Sequence, residues 1–330
     1  MTKGQPTQES GLDPELVNVD MHLVPPTQPV TGVVTSNEIC LRGKSASFVR
    51  HVCVDVGGTP LEGAFRAGQS FGIVPPGTTE HGKPHKVRLY SIASPTIGED
   101  GQGRILSTTC KRLIDEYSPQ SASDDEKRGL HLGVCSNYVC DLEPGTEVQI
   151  TGPAGKRFVL PKVPDRHDYL FLATGTGIAP FRGMVKDLLE GPDGPCESEI
   201  HLVMGAPYSS DLLYDGFFRE TADRHPNFHY HTVISRELLP DGRPQGYIHH
   251  YLDREVRLHS DLLIRDRTLV YICGLAGMQT GVFQAMAKLG VGGPYLKVHE
   301  ELAGVAPEDW AVADIKRRVR PTHRCMLEVY

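Results

Sequence analysis

From Val30 onward the apolar positions fall into short β-type runs: Thr31–Val34, Ser47–Val56, Ser70–Val74, Val87–Ser91, Arg104–Thr109 and Glu147–Thr151. Gly57-Gly58, Pro75-Pro76-Gly77 and Glu143-Pro144-Gly145 punctuate them, and short strands at such intervals predict an antiparallel barrel. After Pro164 the pattern changes. Tyr169–Ala173 is an apolar strand ended by a Gly-rich turn, and Phe181, Met184, Val185, Leu188 and Leu189 then recur at helical spacing over Phe181–Glu190. Buried-type strands follow at Glu199–Met204, Phe228–Ile234 and Thr268–Cys273, the last strand expected, with a helix over Met278–Leu289. Strands alternating with helices predict a parallel sheet with crossovers. The expected organisation is a flexible arm over residues 1–28, a barrel over 29–163 and a Rossmann-like parallel-sheet domain over 164–330. The polar stretches Thr96–Gly103 and Ser118–Gly129 read as exposed connections without an assigned role.

A chain of 330 residues with 39% hydrophobic content can fill two cores. No apolar run approaches the roughly 18 residues needed to cross a bilayer. The first twenty residues are polar, with Asp13, Glu15 and Asp20 among them, and match neither a signal nor a transit peptide. A soluble, bacterial cytoplasmic protein is expected. The net charge of −7 argues against nucleic acid as a partner. The eight cysteines are scattered. Cys135 and Cys140 share the C-x4-C spacing that opens an iron–sulfur site, but Glu143 stands where the next cysteine is needed. Reduced, mostly buried thiols and no metal centre are therefore expected.

Three segments carry chemistry. In Arg88-Leu89-Tyr90-Ser91-Ile92-Ala93-Ser94, strand alternation puts Arg88 and Tyr90 on one face. A guanidinium fork matches phosphate oxygens, and an aromatic face suits an extended conjugated ring. The same residues are also ordinary strand formers. Thr174-Gly175-Thr176-Gly177-Ile178-Ala179-Pro180 ends one strand and opens a helix, where an open parallel sheet holds a dinucleotide pyrophosphate. Pro180 stands where the third glycine of the six-residue fingerprint would be, so a tight turn without a ligand stays open as the alternative. Ser235 and Arg236 follow a strand and offer a hydroxyl and a guanidinium to a 2′-phosphate, with Tyr247 able to stack on adenine.

The order of these pieces is informative. The Arg88 segment is followed by Gly133-Val134-Cys135-Ser136-Asn137-Tyr138, Cys140-Asp141-Leu142, Ile150-Thr151-Gly152-Pro153, then Ala173 through Arg182, Ser235-Arg236-Glu237, Tyr271-Ile272-Cys273-Gly274-Leu275 and a terminal Glu328-Val329-Tyr330. This succession resembles the plant-type ferredoxin–NADP(H) reductases from about Val30 to the last residue. The resemblance implies FAD on the barrel, bound by Arg88, Tyr90, Ser91, Cys135, Ser136 and Tyr330. It implies NADP(H) on the second domain, contacted by Thr176, Ser235, Arg236, Tyr247 and Leu275, and by Arg112 from the barrel side. It makes Cys273 a wall of the pocket where nicotinamide meets flavin. Tyr330 becomes an aromatic gate, and Glu328 with Ser91 the candidates for proton transfer; Ser91, Cys273, Glu328 and Tyr330 are thus the expected catalytic group. The chain departs from the family pattern at Gln245, where a basic residue is usual and Arg243 is a substitute, at His249 in place of Gln, and at Cys325 in place of Trp.

The implied activity is electron transfer between NADPH and ferredoxin or flavodoxin. An acidic carrier would be steered to Lys83 and Lys86, with Arg42 and Lys44 extending the patch. Two rival readings remain at this level: a reductase component feeding an oxygenase, and a non-catalytic flavoprotein that docks on a larger assembly.

Overall fold

The computed structural model describes residues 13–41, 43, 45, 47–117, 129–192, 194–238, 242, 245–254 and 261–330. Arg42, Lys44, Arg243 and most of the Ser118–Gly129 insertion lie outside the described residues. The first half is built from β1 (Val30–Ile39), β2 (Val49–Asp55), β3 (Ser70–Val74), β4 (Arg88–Ser91), β5 (Ile105–Lys111), the hairpin strands β6 (Ile114–Tyr117) and β7 (Gly129–Leu132), helix α1 (Val134–Asp141) and β8 (Glu147–Ala154). Six of these strands form an antiparallel sheet in the order β4-β3-β8-β1-β2-β5. Its ends meet. Ile92 bridges Thr108, and the Ala93 N–H donates to the Ser107 carbonyl at 2.8 Å, so β4 is tied to β5 and the sheet closes as a barrel. Alternate residues fill the interior, among them Val52, Val54, Phe71, Ile73, Leu106 and Ile150, and α1 covers it with Cys135, Val139 and Cys140.

The second half contains β9 (Asp168–Thr174), α2 (Ala179–Glu190), β10 (Ile200–Ala206), α3 (Asp215–Arg224), β11 (Phe228–Ile234), α4 (Ile248–Arg254), β12 (Thr268–Gly274), α5 (Ala276–Lys288), the short β13 (Leu296–Val298), α6 (Val312–Arg318), the short β14 (Val319–Pro321) and β15 (Cys325–Val329). Five strands make an all-parallel sheet in the order β11-β10-β9-β12-β15. Strands β9, β10 and β12 are buried on both faces and read as unbroken apolar runs for that reason. Phe181, Met184 and Phe218 pack on one face. Leu252, Phe283 and Ile315 pack on the other. The order reverses direction between β9 and β12, which makes their carboxyl ends the topological switch point.

Three features differ from the sequence expectations. Part of the expected flexible arm is pinned: Leu16 bridges Pro161, Val24 bridges Gly152, and Gln69 donates to the Asp20 carbonyl at 3.0 Å. Its few apolar side chains suffice because the backbone supplies the bonds, and Val24 is buried in the barrel core. Thr268–Cys273 is not the last parallel strand, since β15 adds beyond it. The stretch Thr96–Gly103 is no simple exposed connection, as its contacts below show.

Candidate functional site

Carboxyl ends of the parallel strands converge on one edge. Gly175–Ile178 forms a single tight helical turn after β9, directly before α2, and Gly274 leads out of β12. These two turns touch closely. A Cβ on Gly177 would stand 2.3 Å from the Cys273 carbonyl oxygen, and Gly274, at φ +141°, leaves no room beside the Thr174 hydroxyl. Only glycine permits that approach. The Thr174 Oγ1 accepts the Leu275 N–H at 3.0 Å, locking the turns together. With Pro180 in its first turn, α2 starts with no side-chain cap among the described residues; its first N–H, of Ala179, donates to the Thr176 carbonyl, so the helix continues the Gly175–Ile178 turn without a break.

The chain terminus is seated on this edge. The Tyr330 N–H donates to the Gly274 carbonyl at 3.0 Å, the Ala276 N–H donates back to the Tyr330 carbonyl at 3.2 Å, and the Tyr330 hydroxyl lies 2.7 Å from Thr176 Oγ1. Tyr330 is nonetheless an exposed residue, at 61%, and the neighbouring Leu275 is exposed at 59%, so the end of β15 and the turn after β12 lie open to solvent beside each other. Cys273 and Glu328 are register partners on β12 and β15, so their side chains share a face. Burial pushes the Cys273 thiol up, and the Glu328 charge pushes it further; this thiol is a packing wall, not a thiolate. Burial pushes the Glu328 carboxyl up to about 7. Gly155, at the end of the barrel, faces Glu328 Oε1, which puts that carboxyl where the two halves meet.

Farther along the same edge, Ser235 and Arg236 follow β11, their N–H groups bonded to the Ala206 and Pro207 carbonyls at 3.0 and 2.9 Å. The Gly246 N–H donates to the Ile234 carbonyl at 2.9 Å, which brings Tyr247 beside them. The Tyr247 ring stacks on His249 at 5.7 Å, and Tyr247 as a residue is 56% exposed. Arg236 is exposed.

On the barrel, Arg88 is exposed and Tyr90 half-buried. The Tyr90 phenol points toward Cys110 and Cys135, and burial followed by the Cys110 thiol pushes it up. Ser91 is held by its backbone, the carbonyl accepting the Thr108 hydroxyl at 2.8 Å. Helix α1 begins after Gly133, again with no side-chain cap among the described residues, and Cys135 is buried in its first turn. The Ser136 hydroxyl donates to the Gly133 carbonyl and accepts the Leu113 N–H. Leu89, Leu113, Ile114, Leu132 and Val134 all stay exposed around these groups. Bare apolar side chains gathered beside a cation, a half-open tyrosine and an uncapped helix end suit a ligand that is flat and apolar at one end and anionic at the other. FAD has that chemistry, and the donor set fits it. Arg112 takes a different posture: its guanidinium pairs with Asp141, donates to Asn137 at 2.9 Å and lies over the Phe48 ring at 4.7 Å.

Comparison with known proteins agrees with this geometry. Residues 171–284 match the oxidoreductase NAD-binding domain family. The ferredoxin–NADP reductase of a Spirulina species is 34% identical over 316 residues, covering 95% of this chain and 99% of that protein. The chain belongs to the ferredoxin–NADP reductase family. The leaf isozyme 1 of the chloroplast ferredoxin–NADP reductase of Arabidopsis thaliana is 37% identical, covering 80% of this chain and 71% of its own length. In fold, the chain superposes on the ferredoxin–NADP+ reductase of Plasmodium falciparum solved with 2′P-AMP, with a TM-score of 0.67 at 20% identity, covering 94% and 99% of the two chains.

Sequence reasoning passed over a cluster that joins the halves of this reductase-family chain. Glu99, only 16% exposed, pairs with Arg182 of α2, lies 3.7 Å from Lys186 and 3.6 Å from His51, and accepts the Ser107 hydroxyl at 2.7 Å. Burial alone raises its carboxyl, but hydrogen bonds from His51, Arg182 and Ser107 outweigh that and hold it well below the usual carboxylate range. Arg182 also donates to the Ala93 carbonyl at 3.0 Å. Beside it, Asp187 accepts from the Thr96 N–H and hydroxyl at 2.8 and 2.7 Å. The Tyr214 hydroxyl sits 2.8 Å from His51 Nδ1. The available signal was an acid flanked by Thr96 and glycines in a loop too polar for a core, with Arg182 closing the turn motif.

Proposed function

We propose that this chain is an FAD enzyme that exchanges electrons between NADPH and ferredoxin or flavodoxin, with the barrel, residues 29–163, holding FAD and the parallel-sheet half, residues 164–330, holding NADP(H). The observation that carries this reading is the seating of the chain end: Tyr330 is clasped between the Gly274 and Thr176 turns, with Glu328 beside the barrel. Bound there, FAD would supply the conversion between the two-electron hydride chemistry of NADPH and the single-electron chemistry of the carrier.

The chain's own residues divide the work. Arg88 and the first turn of α1, with Cys135 and Ser136, hold phosphate oxygens. Tyr90 and Tyr330 offer aromatic faces, and Ser91 supports the ring edge. Thr176 and the start of α2 receive the pyrophosphate of NADP(H), while Ser235 and Arg236 bind the 2′-phosphate and Tyr247 stacks on the adenine. Arg243, outside the described residues, takes the place of the missing basic side chain at Gln245. Arg112 contributes to the pyrophosphate only by exchanging its bond to Asp141. Leu275 and Cys273 shape the nicotinamide pocket, and swinging Tyr330 off Thr176 opens it. Glu328, half-protonated near neutral pH, holds or yields a proton at its carboxyl. Lys83 and Lys86 are exposed on the turn before β4 and steer an acidic carrier, with Arg42 and Lys44, outside the described residues, extending the patch. All eight cysteines are free, in keeping with work in the reducing cytoplasm. Among the described residues no helix is long and apolar enough to cross a membrane.

The test is anaerobic mixing of the yellow protein with NADPH and, separately, NADH, following flavin absorbance. Rapid bleaching by NADPH and a much weaker response to NADH is expected. Equal responses would overturn the 2′-phosphate assignment, and no bleaching by either would overturn the enzyme reading.

A further inference from the structure

A cluster unrelated to this chemistry sits at the opposite, amino-terminal edge of the parallel sheet. Glu199 directly precedes β10, His201 is its second residue, and His229 is the second residue of the edge strand β11. Parallel register makes His201 and His229 direct neighbours, so both rings leave the sheet on the same face, with centroids 4.4 Å apart and planes at 31°. The Glu199 carboxylate closes the group, with Oε2 2.9 Å from His229 Nε2 and 3.7 Å from His201 Nε2. One donor atom from each of the three lies within 4.8 Å of the others. Among the described residues this is the one place where three such donors converge.

We propose that Glu199, His201 and His229 form a binding site for a divalent transition-metal ion of the zinc class. Two imidazoles and a carboxylate are a donor set that zinc, cobalt and nickel accept and that magnesium and calcium, which prefer oxygen, do not. Donors bound to one zinc at about 2.0–2.1 Å in a tetrahedral shell stand roughly 3.3 Å apart. The 2.9 and 3.7 Å separations here bracket that distance, so small rotations of Glu199 and His229 accommodate the ion. Those two side chains are 42% and 37% exposed and free to adjust, while His201, at 5%, is fixed by the sheet. Behind the pair, His231 stacks on His201 at 5.6 Å and meets Tyr251 at 5.5 Å, holding the His201 ring in place. The half-open side leaves the fourth position to water. The ion would clip the edge strand β11 to β10, on the strand whose other end presents Ser235 and Arg236. This departs from the expectation of no metal centre. Glu199 and His201 stand two residues apart, but the third donor, His229, comes from a neighbouring strand 28 residues beyond His201, so only the sheet pairing reveals the set.

The test is titration of the flavin-loaded protein, produced without a polyhistidine tag, with cobalt(II), reading the visible d–d bands, and with zinc(II), reading heat and thermal midpoint. The expected result is saturation at one equivalent, a zinc-dependent rise in the midpoint, and at least tenfold weaker binding in His229→Ala and in Glu199→Gln, with NADPH-dependent flavin bleaching unchanged in both. Absence of saturable binding, or binding that persists undiminished in both variants, overturns the proposal. The Glu199→Gln change preserves shape, so loss of binding there cannot be laid to unfolding.

Discussion

A single carboxyl, Glu328, carries a pH signature. Its native pKa is raised to about 7 by burial, above the ordinary carboxylate range of about 4.3. The folded state therefore binds this proton more tightly than the unfolded state, and the charged form is what folding disfavours. Stability linked to Glu328 is full below about pH 4 and is lost as pH rises toward 7. Glu328→Gln should flatten that segment of the stability–pH curve, and urea midpoints measured from pH 4.5 to 8 test it. The same substitution should remove an apparent pKa near 7 from the rate of flavin reduction by NADPH. If the inflection stays, Glu328 is not its source. Arg236 makes a separate prediction. A charge-assisted hydrogen bond contributes about 1.5–3 kcal/mol, so Arg236→Ala should weaken NADPH by about ten- to a hundredfold and leave NADH almost unchanged. Steady-state kinetics with both nucleotides checks the difference. The positions of such residues were legible in the sequence, because they lie on contiguous motifs at strand ends, while their roles rest on the experiments above. Arg112 was legible only in part, because its pairing with Asp141 depends on how β5 and α1 meet.

Elements place those residues, and the turn contact at the switch point is the strictest of these placements. Gly177→Ala would force a methyl onto the Cys273 carbonyl at 2.3 Å, against backbone that cannot retreat. Overpacking costs about 1–3 kcal/mol, and the strain falls between the Thr176 and Gly274 turns that clasp Tyr330. We expect a modest fall in the urea midpoint and a larger loss of NADPH-dependent reduction, with flavin content intact because the barrel is untouched. An unchanged rate would show that this close approach is not needed. Most elements were visible in advance, since barrel strands alternate and inner parallel strands are uniformly apolar. The last strand was not. Cys325–Val329 is five residues long and ends in Glu328-Val329, and only its pairing with β12 makes it a strand. Likewise the segment 13–28 has little periodicity, and its order comes from bonds to Gly152, Pro153 and Leu160.

At the scale of the whole molecule, the two halves are joined by a continuous core and a charged clamp. Leu41, Val49, Ala67, Phe158 and Leu160, from in and around the barrel, belong to the same buried cluster as Phe181, Met184 and Tyr271, and over this contact lie Glu99–Arg182 and Asp187–Thr96. Breaking a buried pair by removing one partner costs about 3–5 kcal/mol, because the other charge is left uncompensated. Glu99→Gln should therefore lower stability by about that amount at neutral pH. The depressed Glu99 carboxyl sets the sign of the pH effect: its contribution is present above the unfolded value of about 4.3 and is lost as pH falls through the native one. Wild type and variant should therefore converge in acid. Arg182→Lys keeps the charge but not the fork that reaches both Glu99 and the Ala93 carbonyl, so it should recover only part of the stability. The functional consequence follows from position. The clamp ties the barrel side to α2, the helix that follows the Thr176 turn on which the Tyr330 hydroxyl rests, so loosening it should slow flavin reduction by saturating NADPH more than it weakens nucleotide binding. Stopped-flow reduction rates set against dissociation constants for the oxidised nucleotide separate the two. A variant that loses stability while keeping the wild-type reduction rate would show that the clamp holds the fold together without positioning the turn under Tyr330.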